Sequence, residues 1–260
     1  NRISIGMQSA VDSELVSLGR THNAAQAKAA AAMARKAGFD NINIDLIIGL
    51  SSQIRENLEK SIATAAARAE HISAYILKLE PGTPMFEKHP NGTMDDDEIS
   101  RLYLYCCEKL FSHGFVQYEI SNFAKPGFAS KHNMKYWTLK DYIGLGPGAH
   151  SFFKGRRFSF PRDTKAFIAG SYSNDAFTGI EHEQVDLAME YIMLSLRTAD
   201  GISKKELEKL GVAPGRATAL LEKYTKAGFA ERNSQGFRLT PKGFLISNTI
   251  ITDILLALQV

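Results

Sequence analysis

The sequence holds only two cysteines, and they are neighbours, Cys106 and Cys107. Adjacent cysteines rarely pair with each other and cannot build a disulfide framework, so a reducing, cytoplasmic compartment is expected. No stretch reaches the roughly 18 consecutive apolar residues that a membrane-spanning helix needs, and no secretory leader opens the chain. An excess of one charge is missing too: 31 Lys and Arg face 28 Asp and Glu, a net charge of +3 over 260 residues. That balance leaves no electrostatic footprint for nucleic acid. Several catalytic patterns are also missing. The Gly-rich run Ile143-Gly-Leu-Gly-Pro-Gly-Ala-His150 lacks the Lys-Ser or Lys-Thr of a phosphate loop. There is neither a serine-nucleophile elbow nor a His-Glu-x-x-His helix. No internal repeat or low-complexity segment occurs. The first residue is Asn1 and the chain opens inside a strand pattern, so a longer parent protein, truncated here at its N-terminus, is expected.

What is present is ordinary globular material, with 44% hydrophobic, 10% aromatic and 23% charged residues. Ile3, Ile5 and Met7 alternate with Ser4, Gly6 and Gln8, a strand over residues 2–9. Asn23 caps an Ala-rich helix to Ala37, which Gly38 stops. Ile42, Ile44, Leu46 and Ile48 share one face of a second strand that runs to Leu50. A helix over 56–69 and a third strand over 72–79 follow, before Pro81, Gly82 and Pro84 break the chain. Strands separated by single helices predict parallel pairing with right-handed crossovers. A helix over 96–113 and a strand over 117–120 come next, then a Gly- and aromatic-rich folded loop over 121–160. From about residue 183 the pattern becomes helix, helix, helix, a hairpin over 230–239 and a last helix from Thr240 or Pro241, which is winged-helix-like. Three segments result: 1–90, 91–180 and 181–260.

The chemistry-bearing candidates are few. If the aliphatics of the second strand face helices, Gln8 and Asp45 point into the opposite, luminal side, where sites of parallel barrels lie. An amide and a carboxylate there suit a ligand with hydroxyl or ammonium groups, and Arg20 could hold a carboxylate. On spacing alone the structural alternative comes first: Asp45 as a hydrogen-bonded structural acid, Arg20 as a surface charge. In Ser130–Trp137, His132 can ligate iron or a flat macrocycle can stack on its aromatics, against the plainer reading of a capped turn with a packed Trp. The Gly-rich run lets backbone approach a ligand closely. Cys106 and Cys107 point about 100° apart on a helix and read as core. The acidic run 95–98 reads as the first turn of a helix. Arg216, Lys223 and Lys226 are interspersed with Glu222 and apolar residues, which weakens a DNA-binding reading of the winged-helix-like end.

Taken in order, Asn1-Arg-Ile-Ser-Ile-Gly-Met-Gln-Ser9, Leu18-Gly-Arg-Thr-His22, Asn43-Ile-Asp-Leu-Ile-Ile-Gly-Leu50, Glu80-Pro-Gly-Thr-Pro84, Tyr118-Glu-Ile-Ser-Asn-Phe-Ala124, His132-Asn-x-x-Tyr-Trp137 and Gly144-Leu-Gly-Pro-Gly-Ala-His-Ser151 form a set. The set resembles the radical S-adenosylmethionine (SAM) proteins of the oxygen-independent coproporphyrinogen III oxidase and oxidase-like family, above all its heme chaperone branch. The resemblance implies an α/β fold, a partial (β/α)6 barrel whose last three strand-helix units are present, followed by an α+β, winged-helix-like domain. It implies SAM contacts at Gln8, Arg20, Asp45 and His150, with Lys78 near another. The box at 132–137 separates the chaperone branch from true oxidases, so it implies heme contact at His132, a possible iron ligand, with Tyr136 and Trp137 as stacking neighbours. The family's [4Fe–4S] cluster is held by a Cys-x-x-x-Cys-x-x-Cys box expected upstream of Asn1. This chain has no ligands for the cluster and is expected to be inactive in radical chemistry. The expected partners are heme or a porphyrin and a heme-acceptor protein. The alternatives are an oxidase that decarboxylates porphyrin propionates, or a nucleic-acid-binding module working through its winged-helix-like end.

Overall fold

The computed structural model describes residues 1–51, 53–89, 93–169 and 181–258. They divide into two compact units, residues 1–129 and 130–260.

The first unit begins β1 (Arg2–Gln8), α1 (Asp12–Ser17), α2 (Ala24–Lys36), β2 (Asn41–Ile48), α3 (Arg55–Ala66), β3 (His71–Ile76). It continues with α4 (Pro84–Lys88), α5 (Asp96–Ser112), β4 (Val116–Glu119) and β5 (Asn122–Ala124). One sheet runs in the order β1-β2-β3-β5-β4. β1, β2 and β3 are parallel, and β5 is antiparallel to both of its neighbours. The expected alternation sets the two faces. Ile42, Ile44, Leu46 and Ile48 are at most 1% exposed, and α2, α3 and α5 pack on the strands. Full burial of each such side chain is worth about 1.5–3 kcal/mol.

Local chemistry explains the helices. Asn23 accepts from the Gln26 backbone while the Gln26 side chain returns to the Asn23 backbone, a reciprocal capping box. Ala24, Ala27, Ala31 and Ala34 form the buried stripe of α2, which lets that helix lie close to the sheet. Asp95 caps α5 through the Glu98 N–H at 2.8 Å, so the acidic run forms a first turn as expected. Cys106 and Cys107 are buried on α5, and burial pushes both thiols up, Cys107 to about 12.

The structure departs from the sequence reading in several places. The short helix α1 was not foreseen. β3 ends at Ile76, although Leu77 still donates to the Ile48 carbonyl at 2.8 Å. The stretch 121–160 is not a loop region but contains β5, α6 (Lys131–Trp137), β6 (His150–Phe153) and β7 (Arg156–Ser159). Strands of three or four residues and a helix of seven are too short to show a period.

The second unit carries α6, β6 and β7, then α7 (Thr164–Ile168), β8 (Glu181–Glu183) and α8 (Leu187–Ser195). β6, β7 and β8 form an antiparallel sheet, which Arg157 on β7 ties to α8 by a two-pronged pair with Glu190, both prongs 2.6 Å. β9 (Ile202–Ser203), α9 (Lys204–Lys209), α10 (Gly215–Lys226), β10 (Ala230–Arg232), β11 (Gly236–Leu239), α11 (Pro241–Leu245) and α12 (Ser247–Leu258) complete it. The β10–β11 hairpin turns on Asn233, whose Oδ1 accepts from the N–H groups of Gln235 and Gly236. β9 adds a third strand. Gly201, just before β9, has φ +68° and sits where a Cβ would meet the Phe237 carbonyl at 2.1 Å. Among the described residues no helix is long and apolar enough to cross a membrane.

Candidate functional site

The face of the first sheet opposite the aliphatics is polar, and its side chains form one hydrogen-bonded network. Ser4 on β1 and Asn43 on β2 are directly opposite, as are Asn43 and His71 on β3, and Asp45 and Ser73. A carboxylate can only accept, so the Asn43 amide N–H group is the one at Asp45 Oδ1, 2.6 Å away, and it also reaches Ser4 Oγ at 2.7 Å. Asn43 Oδ1 then faces the donors: His71 Nδ1 at 2.6 Å and Ser73 Oγ at 3.2 Å. With its proton on Nδ1, the His71 ring accepts at Nε2 from the Tyr118 hydroxyl at 2.7 Å. Ser4 donates to Asp45 Oδ2 at 3.3 Å. Four strands thus orient one carboxylate.

Electrostatics follow from burial. His71 is fully buried, and desolvation, with the Arg2 guanidinium nearby, drives its pKa down to about 3, so the ring is neutral. Arg2 is half-buried and donates to Asn41 Oδ1 at 3.2 Å. Glu119, nearly inaccessible at the end of β4, is pushed up by burial and accepts from Ser121 N and the Asn122 amide. Asn122 Oδ1 is left buried without a partner. Tyr75, on β3 beyond Ser73, is exposed, and burial of part of its ring raises its phenol.

Of the four SAM candidates, Gln8 and Asp45 lie on neighbouring strands, Gln8 standing opposite Leu46. Gln8 is buried and its amide folds back over Gly6, with Nε2 2.7 Å from where a Cβ of residue 6 would be. Arg20 is exposed in the connection between α1 and α2. His22, in the same connection, lies 3.3 Å from the Met7 carbonyl. His150 belongs to the second unit, at the start of β6, 3.6 Å from a Glu183 carboxylate oxygen. Lys78 is exposed and pairs with Glu80 at 2.8 Å. Asn43, His71, Ser73 and Tyr118 were not singled out from the sequence. The Asn43-x-Asp45 alternation was a readable sign of one of them; pairing across β3 and β4 was not.

The heme candidates sit on α6, capped by Ser130 through the Asn133 N–H. His132 and Tyr136 are four residues apart and share a face. Both are exposed, with the Tyr136 hydroxyl 2.9 Å from His132 Nε2 and the rings edge-to-face at 5.2 Å. Tyr142 packs on Tyr136 at 4.6 Å. Trp137 lies on another side of the helix, where it lines a cavity of about 520 Å³ with Phe152, Leu187 and Tyr191.

The fold and the sequence have known counterparts. The structure is similar to that of Escherichia coli coproporphyrinogen III oxidase (HemN), titled a radical SAM enzyme, with a TM-score of 0.73. The match covers 98% of this chain and 64% of that one at 17% identity. Residues 183–246 match the HemN C-terminal domain family. In sequence, the chain is 34% identical over 261 residues to the heme chaperone HemW of Bacillus subtilis (strain 168), covering 96% of this chain and 68% of the relative. HemW of Escherichia coli (strain K12) is 32% identical, with 96% and 67% covered. A Mus musculus mitochondrial protein, radical S-adenosyl methionine domain-containing protein 1, is 41% identical over 157 residues, 59% of this chain and 36% of that one. The chain therefore has the fold of the HemN-type radical SAM proteins. Within them it belongs to the heme chaperone HemW family, and it spans about two thirds of the length of those relatives.

Proposed function

We propose that the whole protein is a radical-SAM heme chaperone, to which this chain contributes part of the SAM site and the heme-contacting helix. The observation that carries the reading is α6, which presents an imidazole with a hydroxyl at its Nε2 on an exposed, aromatic surface. An exposed nitrogen ligand flanked by tyrosines suits a flat, iron-bearing cargo that must be released to an acceptor protein. Heme chaperones among the relatives support it. On this reading His132 is the iron ligand and Tyr136 flanks the porphyrin, while Trp137, on another side of the helix, faces the neighbouring cavity.

For SAM, the donor set of the first unit fits. Asp45 is oriented by Asn43 and Ser4, leaving acceptor capacity for an ammonium or hydroxyl group. The Gln8 amide can donate and accept, and Arg20 can hold a carboxylate. The [4Fe–4S] cluster does not fit here. Cys106 and Cys107 are buried protonated thiols, and among the described residues no His, Cys, Asp or Glu group is arranged for a metal. Its cysteines would belong to the part of the family's length that this chain does not span. When bound, the cluster with SAM supplies one-electron chemistry, and the chain's own residues orient SAM and shield it. We read β1–β3 as the last three strands of a partial (β/α)6 barrel and residues 183 onward as winged-helix-like, within a cytoplasmic protein. Glu222 on α10 pairs with Arg232 in the hairpin, which supports a role other than nucleic-acid binding for that end.

The test is to load the full-length protein with cluster, SAM, reductant and coproporphyrinogen III, and separately with heme. Stoichiometric heme binding without formation of protoporphyrinogen IX is expected. Turnover to protoporphyrinogen IX would replace the chaperone reading with an oxidase.

A further inference from the structure

Gln8 holds an unusual backbone. Its φ is +65°, a region that L residues with side chains avoid, and the Ser9 N–H bonds the Met7 carbonyl at 2.8 Å across it. That i to i+2 bond closes the left-handed form of the γ-turn, which is strained and persists only where the surroundings enforce it. The β1–β2 register shifts at the same point, between Ile5 and Gln8.

The enforcement comes from a buried knot beside it. Ser9 is inaccessible, and its Oγ donates to Glu14 Oε2 at 2.6 Å while accepting from the Val11 N–H at 3.0 Å. Ser61 on α3 accepts from the Ala10 N–H at 2.9 Å. Gln53 Nε2 reaches Glu14 Oε2 at 3.5 Å and the Ile47 carbonyl at 3.0 Å, while Gln53 Oε1 accepts from the Gly49 N–H at 2.9 Å. One carboxylate on α1 therefore braces the chain leaving β1 and the chain leaving β2. Glu14 is 0% exposed, and its second oxygen, Oε1, is buried with no hydrogen-bond partner. A buried carboxylate with half its capacity unmet costs stability, so packing alone gives no reason for it.

We propose that Glu14 is a positioning residue that acts through Ser9 to hold Gln8 in its strained turn, with the Gln8 amide laid over Gly6 on the polar face. The proposal rests on the reading of Gln8 as a SAM contact for its functional consequence, but not for its geometry.

The experiment uses the full-length protein, labelled at glutamine with ¹⁵N, in wild-type, E14L, E14Q, S9A, Q8A and Q8A/E14L forms. E14L removes the acceptor, E14Q retains an oxygen for Ser9, and S9A breaks the same link by losing one hydroxyl if E14L fails to fold. Thermal unfolding confirms that each variant compared is folded. Expected are displaced Gln8 amide resonances in E14L and S9A, rescue in E14Q, and SAM binding weakened about tenfold by E14L but not further in the Q8A background. Displaced resonances with Q8A binding SAM like the wild type would uphold the positioning and sink Gln8 as a SAM contact. Undisplaced Gln8 resonances in E14L and S9A, or losses that add in Q8A/E14L, would overturn the proposal.

Discussion

His71 Nδ1 lies 2.6 Å from Asn43 Oδ1, and through that contact a buried imidazole on β3 sets the orientation of the Asp45 carboxylate on β2. The Asn43 amide can offer its N–H group to Asp45 only because its oxygen is taken by His71 and Ser73. The neutral ring, with its proton on Nδ1, serves this relay and accepts from the Tyr118 hydroxyl at Nε2.

The acid stability of this chain is expected to carry the mark of His71. Its pKa is about 3 in the folded protein against the ordinary 6.5, so below 6.5 the unfolded chain takes up a proton that the folded one refuses. This stability is full above pH 6.5 and declines as pH falls toward 3. Between pH 7 and pH 5 the loss is about 2 kcal/mol. Urea unfolding at both pH values should show this slope in the wild type and a shallower one in His71→Gln; equal slopes would remove His71 as the source.

Asp45→Ala in the full-length protein is expected to weaken SAM binding about tenfold or more, the scale of a lost charge-assisted hydrogen bond, while the cluster's absorbance stays unchanged. Calorimetric titration with SAM measures it. Unaltered affinity would leave Asp45 a structural acid held by Ser4 and Asn43.

His132→Ala is expected to shift the Soret band of bound heme. Tyr136→Phe frees Nε2 of the same ring, so heme affinity should rise about threefold, the scale of one exposed hydrogen bond. A Soret band that His132→Ala does not move would place the iron ligand elsewhere, and unchanged affinity in Tyr136→Phe would take Nε2 out of the coordination.

Arg157→Lys keeps the charge but gives up the two-pronged pair with Glu190. With both groups largely buried, the loss is expected to be about 1–2 kcal/mol, read as a lower urea midpoint at constant m value. A midpoint equal to the wild type would mean that the β7–α8 tie is no stronger than a surface pair.

Strand alternation from Arg2 to Ile48, the Asn23 and Asp95 caps and the α10–hairpin pattern are legible in the residues because each depends on neighbours within a few positions. The ordered motifs, from Gln8 to His150, likewise pointed to the family. The antiparallel β5 between β3 and β4 was not legible: three residues carry no period, and their place depends on partners such as His71–Ser73, which pair with Ala124–Asn122 some fifty positions along the chain. The same holds for the site. Gln8 and Asp45 stand out by position on their strands, whereas Glu14, Asn43, His71 and Tyr118 gained their roles only through contacts across the sheet and through burial. Local hydrogen bonds and side-chain period are written along the chain. Which polar groups meet, lose water and so shift, strain or orient one another depends on distances that exist only once the strands are packed.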